Sequence, residues 1–115
     1  MRRGDIVFVD LEPVRGAEAS KGRPAVVVSN DGANATAERL GRGVITVVPL
    51  TSNVERVYPF QVLIPAGAGG LGRDSKAQAE QVRSISIERV SGTLGRVPLE
   101  LLRELDGALR LHLDL

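Results

Sequence analysis

Two apolar runs carry the residues best suited to chemistry. Gly22-Arg23-Pro24-Ala25-Val26-Val27-Val28 ends in Ser29-Asn30, and Val44-Ile45-Thr46-Val47-Val48-Pro49-Leu50 ends in Thr51-Ser52-Asn53. Each is short, β-branched and bounded by small hydroxyl and amide residues, the pattern of a buried strand running out to a surface edge. An arginine stands at the mouth of one run and a Thr-Ser-Asn triplet at the exit of the other. If the strands pair, a permanent cation and several neutral hydrogen-bonding groups share one rim. That set suits a phosphate ester and requires neither a metal nor a histidine.

Composition removes most other chemistries. There is no cysteine, which excludes disulfides, zinc–thiolate sites and thiol nucleophiles. His112 is the only histidine, so a serine–histidine pair or a multi-histidine metal site is not expected. The 14 carboxylates are scattered, with no Asp-x-Asp or calcium-loop spacing. No cofactor or metal is therefore expected. The formal net charge of +1 gives no global case for nucleic-acid binding, so any basic surface must come from local segregation.

The elements that must position these residues can be read along the chain. At 115 residues, 43% hydrophobic and 25% charged, the sequence fits one globular domain over residues 1–115. Its apolar runs fall short of the roughly 20 residues of a membrane helix. Met1-Arg2-Arg3-Gly4-Asp5 leads into a short alternating stretch rather than a secretory signal, so a cytoplasmic protein is expected. Asp5–Leu11 reads as a first strand, Glu12–Gly22 as a long polar loop, and the two runs above as the second and third strands. Asn30-Asp31-Gly32 breaks the second strand, and Ala33–Arg39 suggests about two helical turns. Tyr58–Pro65 reads as a fourth strand and Ala66–Gly72 as a flexible glycine-rich turn. Ser75–Ser86 alternates and is favoured as one strand, with another short strand around Gly92–Gly95. The clearest periodicity comes last. Pro98 suits a first helical residue, and Leu101, Leu102, Leu105, Ala108, Leu109, His112 and Leu113 form an i, i+3, i+4 stripe. Many short strands with turns about ten residues apart predict a mainly β domain, a small bent sheet or partly open barrel, carrying a short inserted helix and a C-terminal amphipathic helix.

The order of several short motifs resembles the MazF/PemK/Kid toxins across essentially the whole chain. They are Arg3-Gly4-Asp5-Ile6 with Asp10-Leu11, Gly16-x-Glu18, Arg23-Pro24 before the valine run, Thr51-Ser52-Asn53, Asp74-Ser75, Glu80 to Ile85, and Gly95-Arg96-Val97 before the last helix. The resemblance implies an SH3-like β-barrel of the CcdB/PemK type, assembled as a homodimer. It implies a sequence-selective, metal-independent endoribonuclease, an mRNA interferase whose unchecked action arrests growth. Such enzymes cut single-stranded RNA by attack of the ribose 2′-OH on the adjacent phosphorus, leaving 2′,3′-cyclic phosphate and 5′-OH ends. A cognate MazE-like antitoxin would neutralise it, and DNA would be met only through that antitoxin.

By resemblance, Arg23 and Thr51 are the catalytic positions, and Glu18, Lys21, Ser52, Asn53, Gln81 and Arg83 line the RNA groove. The chemistry fits these types. The nucleophile belongs to the RNA, so the protein must align it, stabilise phosphoryl charge and move protons. Arg23 offers a planar cationic fork and Thr51 a hydroxyl donor. A guanidinium, with a pKa above about 12, is a poor general base, which leaves Glu18 and Glu80 as candidates to accept the 2′-OH proton. Plainer roles stand beside these. Arg23 could cap a strand or pair with Glu12 or Glu18, and Thr51-Ser52-Asn53 is also turn chemistry. Gln81 and Arg83 could be cross-strand polar pairs, Asp74 a turn cap, and His112 a helix residue favoured by the C-terminal dipole. With only Phe8, Tyr58 and Phe60 as aromatics, recognition would lean on backbone groups and arginine planes. A gyrase-directed CcdB-like toxin or a non-catalytic protein-binding barrel is the alternative.

Overall fold

A computed structural model describes residues 1–11, 16–17 and 22–115. Seven strands and two helices follow one another: β1 Asp5–Asp10, β2 Gly22–Val27, α1 Asp31–Leu40, β3 Val44–Thr51, β4 Gln61–Ile64, β5 Ser75–Gln78, β6 Arg83–Ser86, β7 Val90–Arg96 and α2 Leu99–Leu113. The sheet runs β4-β5-β3-β2-β1-β7, with β6 also paired to β3. All pairs are antiparallel.

β1, β2 and β3 read as nearly continuous valine and isoleucine because both faces of the sheet are covered. Ile6, Val26, Val48, Leu50, Val62 and Ile64 point to one core, closed by Leu102, Leu105 and Ala108 of α2. Val7, Val9, Ala25, Val27, Ile45, Val47 and Ile85 point to the other, closed by Ala37 of α1. Within the helical stripe only Leu102, Leu105 and Ala108 are buried; Leu113 is half exposed and His112 is fully on the surface.

Several boundaries differ from the sequence reading, each for a local reason. Asn30 does not simply break β2; its side chain accepts the Ala33 N–H at 2.8 Å and caps α1, which therefore starts at Asp31 and spans ten residues. Gly41 ends that helix at φ 65°. Ser75–Ser86 is not one strand. A 3₁₀ turn over Ala79–Gln81 splits it, so that β5 and β6 pair with different stretches of β3. Alternation is the same on either side of such a turn, so periodicity alone misses it. β4 starts at Gln61, three residues later than expected, because the Tyr58 carbonyl accepts the Gln61 N–H in a turn. Pro98 sits one place before α2, as its N-cap.

The described strands do not close into a complete hydrogen-bonded barrel, since β4 and β7 end the path unpaired with each other. The segment read as a flexible turn fills that side of the molecule. Ala68–Gly70 forms a 3₁₀ turn packed on β7 so closely that a Cβ on Gly95 would stand 2.2 Å from the Gly69 carbonyl oxygen. Only glycine fits there.

Candidate active site

Antiparallel pairing sorts the two matching strand ends. Ala25 pairs with Pro49, Val26 with Val48 and Val27 with Val47. The same register continued by two residues sets Arg23 opposite Thr51. The other end of this pair holds Ser29 and Asn30, far from the Thr-Ser-Asn triplet, and both are structural. The Ser29 hydroxyl bonds Asn34 Oδ1 and accepts the Thr46 N–H at 3.0 Å, while Asn34 Nδ2 donates to the Ser29 carbonyl at 2.9 Å. Asn34 is fully buried, and these bonds satisfy it. The likeness of the two strand ends is therefore one of composition; the candidate site pairs the start of β2 with the end of β3.

Face parity follows from the register. Arg23 lies opposite Val9 and Thr51 opposite Lys76, which in turn lies opposite Leu63. Leu63, Lys76 and Thr51 thus form one row and Arg23 and Val9 another, and the β2–β3 register continued by two residues would join them. Arg23 and Thr51 are both half-buried, at the margin of the core rather than on a mobile surface. The Thr51 hydroxyl oxygen accepts the Asn53 N–H at 3.3 Å, and Asn53 Oδ1 accepts the Glu55 N–H at 3.3 Å. Nested turns of this kind leave the Thr51 O–H and the Asn53 amide N–H groups available as donors. Ser52 is exposed between them.

Lys76 was not singled out by the sequence reading. It is only 8% exposed, its ammonium donates to the Arg56 carbonyl, and it lies 5.8 Å from the centre of the Tyr58 ring. Arg56 lies 5.2 Å from the same ring, which stacks on Phe60 at 5.3 Å. Lys76 thereby fastens the loop after Thr51 to the sheet. The signal was present in the Ser75–Ala79 alternation, which puts Lys76 and Gln78 on the face opposite Ala77 and Ala79.

The remaining predicted residues are spread out. Arg83 pairs with Val47, four residues up β3 from Thr51, or about 13 Å along the strand. Gln81 closes the 3₁₀ turn and its amide donates to the Ala17 carbonyl at 3.1 Å. One carboxylate oxygen of Glu80 accepts the Gln61 amide at 2.7 Å. Asp74 accepts the Ala66 N–H at 2.8 Å, the turn-capping role. Glu18 and Lys21 lie outside the described residues. Among the described residues no cluster of three or more His, Asp or Glu side chains is placed to hold a metal ion. Among the described residues no helix is long and apolar enough to cross a membrane.

An antiparallel, helix-flanked sheet with a cation and a hydroxyl at one ladder end defines a class that comparison with known proteins identifies. Residues 2–113 match the family described as the PemK-like, MazF-like toxins of type II toxin–antitoxin systems, and the chain belongs to that family. Among its relatives is the protein named endoribonuclease MazF9 of Mycobacterium tuberculosis, 66% identical over 115 residues that cover 100% of this chain and 98% of that one. MazF from Deinococcus radiodurans has the same fold, with a TM-score of 0.82 and 28% identity over 100% of this chain and 97% of that one. A MazE–MazF structure from the same organism matches with a TM-score of 0.73 at 26% identity, covering 100% and 96%.

Proposed function

We propose that this chain is an endoribonuclease toxin that cuts single-stranded RNA without a metal, with Arg23 and Thr51 at the reacting phosphate. The observation that carries the reading is the β2–β3 register, which continued by two residues sets a guanidinium opposite a hydroxyl. In the reaction the 2′-oxygen gives its proton to solvent water and bonds to phosphorus, the P–O5′ bond breaks, and the 5′-oxygen takes up a proton from water. Negative charge gathers on the non-bridging oxygens at the five-coordinate stage. Arg23 offsets that charge through two N–H donors, and the Thr51 O–H donates to the same oxygens. Ser52 and Asn53 shape the turn and offer donors to the RNA, Glu18, Lys21, Gln81 and Arg83 extend the groove, and the likeness to a MazE–MazF structure supports a MazE-like antitoxin as partner. The SH3-like barrel, the homodimer and action in the cytoplasm belong to the same reading.

The test is to incubate the purified protein with long single-stranded RNA in EDTA and map the new ends. Cleavage leaving 5′-OH and 2′,3′-cyclic phosphate termini is expected, and Arg23→Ala should abolish it with a nearly unchanged melting temperature. RNA left intact by the wild type, or cleavage surviving in Arg23→Ala, would overturn the assignment.

A further inference from the structure

Thr51 faces two ways. Lys76 shares its row and the continued register sets Arg23 opposite it, yet it also lines a cavity of about 270 Å³ that opens on the other side of the strand end. The floor of this cavity is apolar, made by Pro24, Leu50 and Leu71, and Leu94, 44% exposed, stands at its mouth. Its rim is polar: Thr51, Ser52, Ser75 and Arg73. Arg73 is exposed, and among the described residues no carboxylate pairs with it. Its neighbour Asp74 is turned to the Ala66 N–H instead. Phe8, opposite Pro24 in the β1–β2 register and 39% exposed, extends the apolar face beyond the rim.

We infer that this cavity is a nucleobase subsite, seating the base next to the scissile phosphate on its apolar floor and reading that base's edge through Arg73. The inference rests on the ribonuclease reading above and deepens it. A free phosphate does not match the site, because one cation over an apolar floor would leave most of its oxygens desolvated and unpaired. An aliphatic side chain does not match either, since it would leave the Arg73 guanidinium donors at its edge without a partner. A flat ring with an apolar face and a polar edge satisfies both parts. Arg73 has donors only, so the subsite favours bases that present acceptors, guanine or uracil, over adenine or cytosine amino groups. Thr51, shared by cavity and ladder end, couples the seated base to the reacting phosphate.

The experiment pairs protein variants with substrate variants. Short RNAs carry either the preferred base or an abasic nucleotide at each position flanking the cut. Wild type should lose about tenfold in kcat/KM on the abasic RNA at one of these positions. Arg73→Ala, and Leu94→Trp, which fills the cavity from its exposed side, should cut intact and abasic RNA equally well, and Arg73→Ala should do so through KM with kcat retained. Variants that discriminate as the wild type does would overturn the subsite while leaving the nuclease reading intact. Variants that lose only inhibition by an antitoxin peptide would assign the cavity to a protein partner and overturn it equally. A wild type that cuts no RNA would remove the nuclease reading and this inference together.

Discussion

Replacing Thr51 by valine separates chemistry from architecture at the ladder end. Valine keeps the shape and β-branching of threonine and deletes only the hydroxyl. The structural role of that hydroxyl is one bond, accepted from the Asn53 N–H at 3.3 Å near the surface. At that length it lies beyond the usual 2.7–3.2 Å range for N–H···O bonds, and its loss costs about 0.5–1 kcal/mol. A protein several kcal/mol stable stays folded after such a loss, so the folded fraction in an assay hardly changes. If the hydroxyl donates to the phosphoryl oxygens in the transition state, its removal costs about 3–4 kcal/mol instead, or roughly 10²- to 10³-fold in rate. The two magnitudes are far enough apart to decide. Single-turnover cleavage of a defined RNA, measured beside thermal denaturation, should show Thr51→Val slowed by at least 10²-fold with its melting temperature lowered by no more than about 5 °C. Thr51→Ser, which keeps the hydroxyl and the turn, should stay within a few-fold of wild type. Cleavage by Thr51→Val within threefold of wild type would refute the catalytic role. A loss shared equally by the serine variant would place the effect in backbone geometry rather than in the hydroxyl.

Other outcomes follow from features away from the chemistry. Asn30→Ala removes the α1 cap and should lower stability by about 1 kcal/mol, read as a shift in the denaturant midpoint without a change of slope. Gly95→Ala and Gly107→Ala should act in opposite directions in the same experiment. The first drives a Cβ to 2.2 Å from the Gly69 carbonyl oxygen and destabilises; the second meets nothing within 4 Å on α2 and stabilises by about 0.5–1 kcal/mol. Leu105→Ala, at a site 1% exposed between α2 and the sheet, should cost about 2–5 kcal/mol by chemical denaturation.

Legibility in the sequence followed physical range. Strands β1 to β3 were plain because β-branched runs buried on both faces need nothing beyond composition to be seen. The body of α2 was equally plain from its stripe. The break between β5 and β6 was hidden, since a three-residue turn at Ala79–Gln81 leaves alternation unchanged on either side. At the site, Arg23 and Thr51 could be named, but only register shows that Ser29 and Asn30 lie at the far end, one bonding Asn34 and Thr46 and the other capping α1. Lys76 and Arg73 were passed over for a related reason. Each takes its meaning from a partner distant in sequence, the Arg56 carbonyl for one and the cavity under Leu94 for the other.

The position of Arg23 beside Thr51 is set by residues that take no part in chemistry. Because both faces of the β2–β3 pair are apolar, a one-residue slip would exchange valines between two cores and meet little hydrophobic penalty of the usual kind. What resists slippage lies at the opposite end of the pair. Thr46 donates its N–H to the Ser29 hydroxyl, its carbonyl accepts the Val28 N–H, and Ser29 in turn satisfies the buried Asn34. A slip would break this set and orphan buried polar groups at about 1–3 kcal/mol each, several kcal/mol in all. At the site end the ladder is deliberately weak. Pro24 stands where β2 turns its N–H toward β3 and has none to give, so hydrogen bonding stops short of the strand ends. The polar clasp at Ser29 holds the register, and Pro24 releases the strand end from pairing. The two ends of the β2–β3 pair thus divide the work, a fixed register at Ser29 and a ladder end at Arg23 and Thr51 that is free of cross-strand bonds to β3 from Pro24.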